Sequence, residues 1–258
     1  MDDYLSVQHL SKTFGQGSNA TLAIDDLSFT LGRGKFLSIL GPSGCGKSTL
    51  FNIMAGLLGT DRGDVLLDGT SVVGKPGRMG YMLQRDLLLP WKTIADNTML
   101  GQTLHGISRK TVWPKAQRLM SKCSIGGVED RYPDQLSGGM RQRAALIRTL
   151  LTEKDVLLLD EPYGALDAIT RSHLQQLLLE RWEETQNTIL FVTHDIEEAL
   201  LLADEVIMLS ARPGRIIEHI EVPFQRPRKE ELLFNPEFVR LRYHMYALLK
   251  EQVGNSMD

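Results

Sequence analysis

Cysteine is scarce in this chain of 258 residues, which carries two, Cys45 and Cys123. Cys45 sits in a glycine-rich loop that a disulfide would distort, so a disulfide framework is excluded and a reducing cytosol is the expected compartment. Excess charge is just as scarce. Lys and Arg number 29 against 32 Asp and Glu, a net charge of -3 that leaves no global positive field to gather nucleic acid or anionic lipid. Any phosphate must be held locally. Long apolar runs are missing too, since residues 156–159 and 199–203 fall far short of the roughly 20 that cross a bilayer. The acidic start Met1-Asp2-Asp3-Tyr4 lacks the basic and apolar segments of a secretory signal, and no internal repeat or low-complexity segment is evident. Any membrane role is therefore expected to be served from outside the bilayer.

What is present is an ordinary globular composition, 42% hydrophobic and 24% charged. The length suits one sizeable α/β domain with an insertion, or two small domains sharing an interface. Strand-like alternation runs from Tyr4 to Leu31, broken by a Gly/Ser/Asn turn over 15–19, and predicts an antiparallel sheet. An apolar run at 36–40 then leads through glycines to a helical pattern beyond Lys47. Further strands are predicted at 65–67, 80–83, 156–159, 188–192 and 205–209, the later ones reading as buried parallel strands. A helix is predicted over 169–182, and another starts at Asp195, a cap with Glu198 three residues on.

Between about 86 and 153 the pattern turns helical. Ser137 is placed to cap a helix whose Met140, Ala144, Ile147 and Leu151 share one face, while Arg141, Arg143 and Arg148 make a solvated basic face on the plainest reading. After Arg212 come Pro213, Pro223 and Pro227, then Asn235-Pro236 opening a short amphipathic helix with Phe238, Leu241, Met245, Leu248 and Leu249 on one side.

Chemistry enters at Gly41-Pro42-Ser43-Gly44-Cys45-Gly46-Lys47-Ser48-Thr49, which fits G-x-x-x-x-G-K-[ST] between a strand and a helix. Glycines there let backbone N–H groups converge on phosphate oxygens, and the helix adds the positive end of its dipole. Lys47 is expected at the β- and γ-phosphates and the Ser48 hydroxyl on Mg²⁺. The apolar strand 156–159 then delivers Asp160 and Glu161 to its C-terminal end, where open α/β sheets bind ligands. Asp160 is expected to hold Mg²⁺ through water, and Glu161 to polarise the attacking water.

These elements alone describe any nucleotide-phosphate protein. Leu136-Ser137-Gly138-Gly139-Met140 resembles the signature of ABC-type ATPases, with Met140 where the family most often has glutamine. A serine and two glycines at a helix start form a second anion-binding nest. The resemblance implies a P-loop NTPase (RecA-like) α/β core, an N-terminal antiparallel β subdomain and a helical signature subdomain, spanning 1–235 with a C-terminal helical extension at 236–258. It further implies ATP and Mg²⁺ as cofactors and a homodimer, or a heterodimer with a paralogous ATPase, closed head to tail so that each ATP is sandwiched. By the same resemblance Phe14 stacks on adenine, Gln84 senses the γ-phosphate through Mg²⁺ and the attacking water, Asp167 crosses the dimer interface, and His194 contacts the γ-phosphate. Core packing, a strand-end polar group, a helix cap and a loop histidine are the plain alternatives for those four.

The apolar stretch Leu87-Leu88-Leu89-Pro90-Trp91 either docks a permease helix, as the resemblance implies, or packs the helical insertion. This stretch, the segments 164–171 and 194–199 look most like the importer branch for nitrate, sulfonate, taurine or bicarbonate, which also includes importers of vitamin precursors. The implied protein is an ATP-hydrolysing subunit at the cytoplasmic face of the cell membrane. Its partners are a transmembrane permease and, indirectly, a substrate-binding protein, with no nucleic acid. A non-transport ABC ATPase on nucleic acid or the ribosome is the alternative, although the long coiled coil or fused halves usual there are missing.

Overall fold

The computed structural model describes residues 3–254, so residues 1, 2 and 255–258 of the expected domain and extension lie outside the described residues. Residues up to Met79 together with those from Asn187 onward form one compact unit, and Gly80–Gln186 form another.

In the first unit, β1 (Asp3–Phe14) and β2 (Thr21–Gly32) pair antiparallel, followed by β4 (Arg62–Leu67) and β5 (Thr70–Ser71), in the order β2-β1-β4-β5. Leu5, Val7, Leu27 and Phe29 are buried on this sheet, as the alternation predicts, and Leu10 is buried as well, out of that phase because the β1 register shifts on either side of it. A second sheet is built on β3 (Phe36–Leu40), a strand buried along its whole length. It runs parallel to β8 (Thr188–Val192) and β9 (Glu205–Leu209), and β9 pairs antiparallel with β10 (Ile216–Glu221). The helix α1 (Lys47–Met54) follows β3, and α7 (Ile196–Leu202) packs against both β3 and α8 (Pro236–Gly254).

Strand β10 is absent from the sequence reading because Ile216-Ile217-Glu218-His219-Ile220-Glu221 alternates imperfectly and follows Pro213-Gly214. The C-terminal helix is long rather than short, at 19 residues. Asn235 Oδ1 caps it by accepting from the N–H groups of Glu237 and Phe238, and Phe238 and Met245 are fully buried.

The second unit holds β6 (Gly80–Met82) parallel to β7 (Val156–Asp160). Its helices are α2 (Ile94–Thr98), α3 (Leu100–Leu104), α4 (Arg109–Lys122), α5 (Gly138–Leu150) and α6 (Ala168–Thr185). Helix α5 is central, packing on α2, α3, α4 and β6, because Ala144, Ala145, Leu146, Ile147 and Leu150 are all buried.

Its arginines do not form a solvated face. Arg141 Nε donates to Asp86 Oδ2 at 3.1 Å, and Arg148 donates to the carbonyls of Asp86 and Leu87 at 2.5 and 2.9 Å. Arg143 donates to the carbonyls of Cys123 and Ser124, which follow α4, at 3.1 and 3.0 Å. Carbonyls at a helix end and in an irregular loop lack ladder partners, and a guanidinium can satisfy two at once.

Candidate functional site

Parallel register sets the geometry of each unit. In the first, Ile39 stands opposite Val192, so the loop 41–46 and His194 leave β3 and β8 at the same edge. The Thr193 N–H donates back to the Ile39 carbonyl at 3.4 Å, fixing the base of the His194 turn. His194 itself is exposed.

The glycines of the loop serve different needs. Gly46 precedes α1 at φ 105°, a left-handed conformation, and a Cβ there would stand 2.8 Å from the Ala23 carbonyl oxygen. Gly41 is closed in as tightly, because its Cβ would meet Cys45 Sγ at 2.8 Å and Leu209 Cβ at 3.1 Å. Ser43, Gly44 and Ser48 are exposed. No side chain caps α1, which leaves its first N–H groups as an anion-facing end. Arg212 Nε braces the loop from 168 positions away, donating to the Gly44 carbonyl at 3.2 Å. No sequence signal marks that contact.

Lys47 is the buried cation of the loop. It is 8% exposed, and its ammonium donates to the Gly41 and Pro42 carbonyls at 2.7 and 2.9 Å and lies 3.7 Å from Cys45 Sγ. Among the described residues no carboxylate pairs with it. A buried cation held by neutral acceptors beside an uncapped helix N-terminus suits an anionic partner, and polyphosphate fits that demand. Thr49 continues α1 behind it.

Phe14, at the end of β1, is 44% exposed, with Lys12 Nζ 5.9 Å from its ring centroid. That placement answers the core alternative. An exposed ring face is what stacking on a base requires.

In the second unit, Met82 stands opposite Leu159, so Gln84 and the acidic pair leave β6 and β7 at one edge. Gln84 Nε2 donates to Glu161 Oε2 at 3.2 Å. Asp160 is 2% exposed at the end of β7, and burial followed by its charge pushes the Tyr81 phenol well above its ordinary value. Glu161 sits at φ 48°, a left-handed backbone that costs a non-glycine residue on the order of 1 kcal/mol.

Gln142, one turn inside α5, is a residue that motif reading misses. Its Nε2 donates to the Glu161 carbonyl at 2.9 Å while its Oε1 accepts from the Ala165 N–H at 2.9 Å.

Ser137 caps α5, its Oγ accepting from the Met140 N–H at 3.3 Å, and both Ser137 and Gly138 are exposed. A Cβ on Gly139 would stand 3.1 Å from Leu166 Cδ2. Asp167 caps α6 by accepting from the Thr170 N–H at 3.0 Å, a hydrogen bond that holds its carboxyl below the usual carboxylate range. The cap reading is therefore observed, on a residue that stays exposed. In the stretch 87–91 Leu88 is buried, as the packing reading requires, whereas Leu87 and Trp91 are 47% and 71% exposed.

Among the described residues no group of three or more His, Cys, Asp or Glu converges. Of the residues expected to hold Mg²⁺, Ser48 in the first unit and Gln84 and Asp160 in the second each offer an oxygen donor, the ligand type that Mg²⁺ takes alongside waters and substrate phosphates.

Comparison with known proteins converges on one group. A family model described as ABC transporter matches residues 24–164. The chain is 41% identical over 253 residues to an uncharacterized ABC transporter ATP-binding protein of Methanocaldococcus jannaschii, covering 98% of this chain and 94% of that protein. It is 39% identical over 253 residues to the taurine import ATP-binding protein of Escherichia coli K12, covering 96% and 98%. To the aliphatic sulfonates import ATP-binding protein of Bacillus cereus it is 41% identical over 229 residues, covering 88% and 90%. A solved dimeric ATP-binding cassette in a post-hydrolysis state, bound to ADP and Pi, is similar with a TM-score of 0.77 at 26% identity, covering 86% of this chain and 100% of that one.

Proposed function

Because the chain belongs to the ABC transporter family as an ATP-binding ATPase with a P-loop NTPase fold, we propose that it dimerises around two ATP and drives import through a separate permease. The observation that carries this reading is the exposed Ser137-Gly138 nest at the start of α5, a second anion-binding end in a chain that already has one at Lys47. A nest left open on the surface awaits a phosphate held by a second copy.

In the cycle, Phe14 stacks on adenine, the loop 41–49 with Lys47 binds the phosphates, and Ser137, Gly138, Gly139 and Asp167 of the second copy complete the site. Mg²⁺, held by Ser48, Gln84 and Asp160, would neutralise phosphate charge. Glu161 accepts a proton from water as that water attacks the γ-phosphorus and the bond to the ADP oxygen breaks, a general-base role contributing about 10²–10⁴-fold in rate. His194 orients the γ-phosphate, and Gln84 holds the Glu161 carboxylate. The exposed side chains of Leu87 and Trp91 receive the permease on the cytoplasmic face of the membrane.

The imported substrate is a small anion of the sulfonate type, since taurine and aliphatic sulfonates are what the named relatives import. The same resemblance covers nitrate, bicarbonate and vitamin-precursor importers, so cargo is assigned by reconstitution with the permease and binding protein. Stimulation of ATPase by taurine or an alkanesulfonate is the expected outcome there.

Glu161→Gln tests the cycle. With ATP it is expected to run as a dimer in light scattering while turnover falls at least about 100-fold. Turnover at the wild-type rate, or a monomer at saturating ATP, overturns the reading. Lys47→Ala is expected to lose nucleotide affinity, and unchanged ATP binding would count against the phosphate loop.

A further inference from the structure

We propose that Gln142 is a positioning residue for Glu161, its carboxamide bracing both ends of the turn that presents the catalytic carboxylate and tying that turn to the helix that starts at Ser137. The inference rests on the reading of Glu161 as general base.

Two hydrogen bonds define the brace. Nε2 donates to the Glu161 carbonyl and Oε1 accepts from the Ala165 N–H, each at 2.9 Å. Within the turn the Gly164 N–H donates to the same Glu161 carbonyl at 3.2 Å, so the amide adds a second hydrogen bond to that carbonyl. Glu161 needs one, because its backbone is held at φ 48°. Gln142 is 7% exposed, which makes an unpaired amide costly and the bridging orientation strongly preferred. A carboxylate offers only acceptors and an apolar side chain offers nothing, so a carboxamide is the group that satisfies an N–H and a carbonyl together.

The brace also has a direction. Gln142 lies on the same helix as the Ser137 nest, and that helix packs closely on the turn, since a Cβ on Gly139 would stand 3.1 Å from Leu166 Cδ2. A shift of the α5 N-terminus, such as phosphate seating at Ser137, therefore moves the Glu161 turn with it. Occupancy of the nest and alignment of the base become one event.

The experiment uses the full chain, with ATP as the probe. Gln142→Met keeps length and burial while removing both bonds. It is expected to lower kcat about 10- to 100-fold, a fraction of what the base supplies, with ATP affinity within about twofold of wild type. Added to Glu161→Gln, it should slow turnover no further. Gln142→Glu should recover activity relative to wild type as pH falls from about 8 to about 6, because a protonated carboxyl regains a donor for the Glu161 carbonyl.

Wild-type kcat in Gln142→Met, a loss confined to KM, or a full additional loss on top of Glu161→Gln would each overturn the inference while leaving the base assignment intact. Rapid turnover by Glu161→Gln alone overturns that assignment instead. If Gln142→Met does not fold, the pH profile of Gln142→Glu decides: a ratio to wild type that is flat with pH is the negative result.

Discussion

Cys45 lies inside the phosphate loop, where a low-pKa thiol would be a liability, yet burial pushes it up against the opposing influence of Lys47. Cys123 is pushed up further, to about 12, by burial among the helices of its unit, with Arg143 and Lys122 pulling weakly the other way. A pKa of about 12 leaves a thiolate fraction on the order of 10⁻⁴ at pH 8, and the nucleophile is the thiolate. Both thiols are therefore expected to stay unreactive toward a disulfide reagent in the native protein and to react in guanidinium. A thiol that titrates rapidly at pH 8 in the native state would contradict the burial. At this scale the contiguous motifs were legible from sequence, since the phosphate loop needs its glycines and lysine side by side. Gln142 and Arg212 were not. Their value lies in which distant carbonyl or N–H they reach, and composition near them carries no trace of it.

Among the elements, α7 links the histidine turn to the C-terminal extension. Asp195 caps it by accepting from the N–H groups of Glu197 and Glu198. The box expected with Glu198 runs through Thr193, whose hydroxyl donates to the Glu198 carboxylate and accepts from the Asp195 N–H. At the other end, Arg228 donates to the carbonyls of Leu200, Ala203 and Phe224, and Arg226 to that of Leu202 and to Asp204. Arg242 pairs with Glu197, so α8 grips α7 near its start as well. Burial lowers the Arg228 guanidinium to about 10, still protonated at neutral pH. Arg228→Ala would strand two carbonyls at the end of α7 and that of Phe224 in the loop after β10, and with water reaching part of the site the cost is about 2 kcal/mol. At about 2–4 °C per kcal/mol for a chain of this size, the melting temperature should fall by roughly 4–8 °C. An unchanged melt would show that water replaces the arginine at no cost. In the tail the helix start at Asn235-Pro236 and its apolar face were legible, whereas β10 was not, because it acquires its stability from pairing with β9 and not from strong local patterning.

For the whole molecule, the order of the motifs foretold an ATPase of this family, because a nest at Ser137 in the same chain as a phosphate loop at Lys47 has few other uses. In the proposed dimer, how two copies would share those ends is a matter of symmetry. In a two-fold dimer built head to tail, one site takes Lys47 from the first copy and Ser137 from the second, and the other site reverses the roles. Lys47→Ala alone ruins one contribution to each site, and so does Ser137→Arg alone. Mixed together, the two variants place both lesions in one site of the heterodimer and leave the other built from intact parts. If binding partners exchange freely, half the dimers are mixed and each holds one good site of two, giving about a quarter of wild-type turnover per chain. Recovery to that order from two inactive preparations is the expected result, measured as phosphate release after equilibration with ATP. Were each ATP bound and hydrolysed within a single copy, every site in the mixture would carry a lesion in its own chain and activity would stay at background. Should turnover demand both sites at once, mixing would also fail, but then tandem-linked wild-type and Ser137→Arg copies would be inactive too, whereas independent shared sites leave that linked dimer at about half activity.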